Sequence, residues 1–81
     1  MNIIITIQMN EANQKLNIQV SDKQCITDTL IVLEENLHVL RDAANISVVQ
    51  DMDSGRRINT EATYEQAHIY SGCRLLVKEN G

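Results

Sequence analysis

The chain has 81 residues, a formal net charge of −4, and no proline, phenylalanine or tryptophan. Phosphate backbones and anionic membranes are met by clustered Lys and Arg. The only adjacent basic pair here, Arg56-Arg57, follows Asp51 and Asp53, which disfavours nucleic-acid binding and docking on an anionic membrane. A chain of this length makes one domain, spanning 1–81, with roughly 60 to 65 per cent of its unfolded surface buried and about 4 to 12 kcal/mol of net stability.

Ile3, Ile5, Ile7 and Met9 alternate with Ile4, Thr6 and Gln8, which predicts a period-two strand rich in β-branched residues. Asn10 to Gln14 is polar and turn-like. Lys15 to Val20 alternates again, with Leu16, Ile18 and Val20 on one face. The two segments are expected to pair as an antiparallel hairpin with one buried and one wet face. The connection carries no glycine, so a loop longer than two residues is expected.

From Ile26 to Leu40 the period changes. Ile26, Leu30, Leu33, Leu37 and Leu40 recur at intervals of four and three, one apolar stripe on a helix of period 3.6. Asp28, Glu34, Glu35 and His38 point elsewhere. Ser21 with Gln24 has capping-box spacing, and Asp22 is an alternative cap. Beyond Leu40, Arg41 to Asn45 is expected to be a loop or a last frayed turn, and Ile46, Val48 and Gln50 to begin a third strand. Asp51 to Gly55 reads as a turn with its tip at Asp53-Ser54-Gly55. A short strand is expected around Ile58, then a connection from Thr60 to Ile69 with one helical turn near Tyr64 to Ala67. Ser71-Gly72 marks a further turn, and Arg74 to Lys78 the last strand.

With one helix available, an α+β sheet of four to five strands covered on one face is the economical packing. The first and last strands are expected to be parallel neighbours, joined by a crossover carrying the helix. No segment approaches the length of a membrane span, which argues against direct membrane insertion. The start of the chain lacks a basic region and a small-residue cleavage site, so no signal peptide is read. Cys25 and Cys73 are lone thiols without framework spacing, which fits a reducing cytoplasm.

The order of elements resembles the ubiquitin-like β-grasp. The hairpin Met1 to Val20 and the helix opening at Ile26 resemble the start of ubiquitin. Arg57-Ile58-Asn59-Thr60-Glu61-Ala62-Thr63-Tyr64 and Ile69 to Val77 resemble its end. A closer likeness is to the YukD/EsaB family, the small ubiquitin-like proteins encoded with Gram-positive type VII (ESX-like, WXG100-exporting) secretion systems. Ile46-Ser47-Val48-Val49-Gln50 is similar to that family's third strand. Ile69-Tyr70-Ser71-Gly72-Cys73-Arg74-Leu75-Leu76-Val77 is similar to its closing pattern, with Cys73 where the family often has Asp. The resemblance implies a cytoplasmic accessory or regulator whose partners are protein components of a secretion machine, present as a monomer or weak homo-oligomer. It also implies a protein that is not itself conjugated.

The residues bear on conjugation too. A modifier or sulfur carrier, the alternative function, is activated at a flexible Gly-Gly tail that threads a narrow enzyme channel without side-chain clashes. The sequence here ends Lys78-Glu79-Asn80-Gly81, a poor substrate for such chemistry. No enzyme activity and no cofactor are expected. Asp51-Met52-Asp53-Ser54-Gly55 has some look of a calcium loop, but Gly55 takes the fifth ligand position, Arg56 the sixth and Ala62 the twelfth, so an acidic turn is the simpler reading. Cys25, Cys73, His38 and His68 lack the paired spacing of a zinc site. Cys73 beside Arg74 carries no general base to make it a nucleophile.

What remains is surface. The alternation sets Ile3, Ile5, Leu16, Ile18, Val48, Leu75 and Val77 towards the helix and leaves Ile4, Val49 and Leu76 on the outer face. Ubiquitin binds partners through the corresponding face. Ile4, Val49 and Leu76, flanked by Thr6, Arg74 and Lys78, are therefore the candidate partner-binding residues, weighed against scattered surface aliphatics. On this reading Asp at Val49 and Leu76 leaves folding intact and abolishes capture. Val32 and Val39, seven apart and opposite the leucine stripe beside Glu35, form a secondary candidate patch for a partner helix or dimer mate, weighed against a mildly apolar helix back.

Overall fold

The computed structural model describes residues 1–9, 14–37 and 42–77. Strand β1 (Asn2–Met9) and strand β2 (Gln14–Ser21) form the expected antiparallel hairpin, in uninterrupted register from Asn2 opposite Ser21 to Met9 opposite Gln14. Helix α1 (Ile26–Leu37) follows. A 3-10 turn at Ala43–Asn45 leads into β3 (Val48–Asp51), β4 (Arg57–Asn59) and β5 (Arg74–Val77). The sheet order is β2-β1-β5-β3-β4. β5 runs parallel to β1 and antiparallel to β3, so the mixed sheet has the first and last strands at its centre. This is the one-faced α+β packing expected from a single helix.

The core is aliphatic by composition. Ile3, Ile5, Ile7 and Met9 from β1 are buried with Leu75 and Val77 from β5 and Ile26, Leu30 and Leu33 from α1. The stripe read from the sequence therefore faces the sheet as far as Leu33. The side chain of Leu37, and Leu40 altogether, lie outside the described residues. Burial of such side chains contributes about 1.5 to 3 kcal/mol each relative to exposure.

The start of α1 differs from expectation. Neither Ser21 nor Asp22 caps the helix, which opens several residues later. Ser21 Oγ accepts from Lys23 N–H instead (3.3 Å). The first helical N–H groups, which have no partner within the helix, are met by another part of the chain. Ile26 N–H donates to Ala62 O (3.1 Å) and Thr27 N–H to Thr60 O (2.9 Å), with Thr27 Oγ1 on the same carbonyl. The connection from Thr60 onwards thus acts as the cap.

That connection also enters the core through Tyr64, which is fully buried and donates its hydroxyl to Thr29 Oγ1 (2.8 Å), while Gln24 Nε2 donates to the same oxygen (3.1 Å). The helical turn expected near Tyr64 is present as a single turn, closed by Ala67 N–H on Thr63 O. Burial pushes the Tyr64 phenol up to about 12 from its ordinary 10, partly offset by its bond to Thr29.

The raised phenol predicts an alkaline weakness. The unfolded phenol ionises near 10, so the contribution is complete below pH 10 and is lost as pH rises through 12. The full loss is about 2 to 3 kcal/mol. Tyr64→Phe should lower stability by about 1 kcal/mol at pH 7, since Thr29 keeps its bond from Gln24. Urea titrations of both proteins between pH 7 and 12 should show the deficit shrinking, then reversing. A constant deficit would contradict the buried-phenol assignment.

Candidate protein-docking face

The side of the sheet away from the helix follows from the register. In β1 it carries Ile4, Thr6 and Gln8, opposite Gln19, Asn17 and Lys15 of β2. In β5 it carries Arg74 and Leu76, beside Thr6 and Gln8. In β3 and β4 it carries Val48 and Gln50, opposite Asn59 and Arg57.

In β3 the parity is the reverse of the one expected. Val49 is 1% exposed and belongs to the core, whereas Val48 is 43% exposed and stands on the outer face. The alternation counted from Ile46 fails because Ile46 is not in the strand. It is buried after the 3-10 turn, and its carbonyl accepts from Thr60 Oγ1 (2.7 Å), while Ser47 O accepts from Thr60 N–H (3.0 Å). The pleat begins only at Val48, with Val49 opposite both Val77 and Ile58. One signal in the sequence pointed this way. Folding the chain about Asp53-Ser54 sets Val49 opposite Ile58, the lone aliphatic of its segment.

Ile4 is 57% exposed, and Leu76 is half-buried. Lys78 and Val39 lie outside the described residues. Val32 is exposed on the back of α1, next to half-buried Ile31. Arg74 is on the outer face but already engaged, donating to Asp53 Oδ1. That hydrogen bond and the Asp53 charge push the guanidinium further up. Both partners are about half exposed, so the pair adds little stability.

Between β3 and its neighbours lies a cleft of about 210 Å³, lined by Val48, Gln50, Arg57 and Leu76 with Ile46, Ser47 and Val49. Arg57 and Gln50 were not singled out from the sequence, because only the pairing of β3 with β5 sets Gln50 opposite Leu76, and only the pairing of β3 with β4 adds Arg57 beyond it. The face combines aliphatic Ile4, Val48 and Leu76 with the cations Lys15, Arg57 and Arg74. It can take an aliphatic side chain flanked by acceptors.

The turn after β3 is shaped by Asp51, a buried carboxylate whose Oδ1 accepts from Asp53 N–H (2.9 Å) and whose carbonyl accepts from Gly55 N–H (2.7 Å). Gly55 sits at φ +74, a conformation that favours glycine. Cys25 is half-buried where its backbone bridges to Thr63 at the helix start. Cys73 Sγ accepts from Tyr70 N–H (3.4 Å) in the turn before β5. His68 lies in the Thr60–Ile69 connection at φ 58; His38 lies outside the described residues. Among the described residues no three His, Cys, Asp or Glu side chains gather in a group able to hold a metal. No helix described is long and apolar enough to cross a membrane.

Known structures share this architecture. The C-terminal ubiquitin-like domain of mouse tubulin-specific chaperone e matches 100% of this chain and 89% of its own, at TM-score 0.74 and 19% identity. The ubiquitin of Caldiarchaeum subterraneum matches 100% of this chain and 96% of its own, at TM-score 0.75 and 12% identity. The fold is a ubiquitin-like β-grasp. The ubiquitin-like domain of Plasmodium falciparum Dsk2 is similar across 95% of this chain and 99% of its own, at TM-score 0.64 and 10% identity. No family model matches the chain, and no curated protein matches it in sequence. At these identities the likeness establishes the ubiquitin-like fold alone.

The corrected parity gives a contrast between adjacent valines. Val49→Asp should destabilise the domain by more than about 3 kcal/mol, because it puts an unpaired charge among Val77 and Ile58. Val48→Asp should change stability by less than about 1 kcal/mol. Chemical denaturation of the two variants decides the matter, and equal losses would overturn the register.

Proposed function

We propose that this ubiquitin-like domain is a non-catalytic docking module that holds partner proteins against the outer face of its sheet. The observation that carries the reading is the pairing of exposed Val48 with half-buried Leu76 in one cleft, with exposed Ile4 further along the same face, which is otherwise amide-rich and cationic. Exposed aliphatics grouped on one sheet face favour association over solvation. A rigid face of this kind needs no covalent step to recognise a partner.

In its finer form the proposal makes the domain a cytoplasmic YukD/EsaB-like accessory of a type VII secretion machine. Support comes from the sequence likeness in Ile46 to Gln50 and Ile69 to Val77. The Gly72 turn of that closing pattern joins the last connection to β1, because Gly72, at φ +93, donates its N–H to Ile4 O (2.8 Å).

The test is affinity capture with the native chain and with an Ile4→Asp, Val48→Asp double variant, both monitored for folding. The native chain should retain a secretion ATPase or a WXG100 substrate, and the folded variant should lose it by about tenfold or more. Undiminished capture by the variant would remove the outer face from the mechanism. Incubation with ATP and an activating enzyme, followed by intact-mass measurement, should leave the native mass unchanged. An adenylate adduct would replace docking with carrier chemistry.

A further inference from the structure

The edge of the sheet at β2 carries a second surface, made of backbone. Asp22 N–H donates to Met1 O (3.0 Å), which makes this pair a hydrogen-bonded one in the β1–β2 ladder. Hydrogen-bonded and non-hydrogen-bonded pairs alternate along an antiparallel ladder. Val20, Ile18 and Leu16 therefore exchange bonds with Ile3, Ile5 and Ile7. The N–H and C=O groups of Gln19, Asn17 and Lys15 point the other way, off the sheet. Two further bonds agree with this phase: Thr6 N–H reaches Cys73 O (3.0 Å), and Ile4 O accepts from Gly72 N–H (2.8 Å), so these β1 residues turn away from β2. Among the described residues no element other than β1 pairs with β2, and no hydrogen bond reaches the outward groups of Lys15, Asn17 and Gln19.

Proteins guard such edges with proline, bulges, shortness or repeated charge. β2 is eight residues long and in unbroken register, without proline or bulge. Its one charged residue is Lys15. Leu16 and Ile18 are left half-buried on the helix side. The chemistry of the occupant follows: an extended strand whose side chains alternate aliphatic and amide.

We propose that the occupant is β2 of a second copy, paired antiparallel about a two-fold axis at Asn17. That register sets Asn17 opposite Asn17 of the other copy, and Lys15 opposite Gln19, so the outward donors and acceptors meet and no like charges face each other. Leu16 lies opposite Ile18 on the helix side, closing both half-exposed aliphatics. The same patch serves both copies, as an isologous contact requires. Two five-stranded sheets become one continuous sheet, and the outer faces stay open.

Sedimentation equilibrium at rising concentration, up to roughly 2 mM, tests this. The native chain should show a dimer with a dissociation constant on the order of 0.1 to 1 mM. Amide exchange at Lys15, Asn17 and Gln19 should slow as the dimer fills. Asn17→Pro removes an outward N–H that β1 does not use, a position where an edge strand tolerates proline, and should abolish the dimer. Asn17→Asp, which keeps an acceptor for Thr6 Oγ1, should weaken it at pH 7 and restore it below the carboxylate range. Val48→Asp, on the outer face, should leave the dimer unchanged. A native chain that stays monomeric throughout, or a dimer untouched by both Asn17 variants, would overturn the proposal.

Discussion

Everything in this domain depends on a single apolar layer between one helix and one side of one sheet. No phenylalanine or tryptophan is available, so that layer is made from many medium-sized aliphatic side chains and the one buried phenol of Tyr64. Each contributes modestly and none dominates. Strand parity must therefore be correct in every strand at once, since a one-residue slip would move a whole set of side chains into water. The outer face is the consequence of that demand: it is composed of whatever the alternation leaves over.

The segment between Thr60 and Ile69 has no long element of its own, yet it ties the layer together. Its carbonyls receive the first N–H groups of α1, its Tyr64 fills the space between helix and sheet, and Thr29 joins the two through one hydroxyl. A helix that relies on a distant segment for its cap is coupled to the rest of the fold, because it cannot form its first turn fully satisfied alone. Arg56 adds a second tie, donating to Ala67 O (2.7 Å). The hairpin of β3 and β4 is thereby fastened to the connection that caps the helix.

The surface divides into two kinds. The outer face offers side chains, aliphatic at Ile4, Val48 and Leu76 and cationic at Arg57. The β2 edge offers main chain, at Lys15, Asn17 and Gln19. The two do not compete, because one points along the normal of the sheet and the other lies in its plane. A dimer through β2 would present two copies of the outer face on one continuous sheet, which raises the local concentration of docking sites for a repetitive partner.

The sequence by itself determined the order of elements, the antiparallel hairpin, the parallel pairing of first and last strands and the leucine stripe on α1. The elements, the hairpin and the stripe rest on local periodicity, which is written into neighbouring residues, and the pairing of first and last strands rests on the crossover that a single helix requires. Only the tertiary structure decided which of Val48 and Val49 is buried, and what caps the helix. Two adjacent valines carry no parity of their own. Their orientation is set by pairing with Val77 and Ile58, and by the irregular residues that take Ile46 out of the pleat. Likewise the cap at Ile26 and Thr27 comes from carbonyls more than thirty residues away, which no local pattern of Ser, Asp and Gln can reveal.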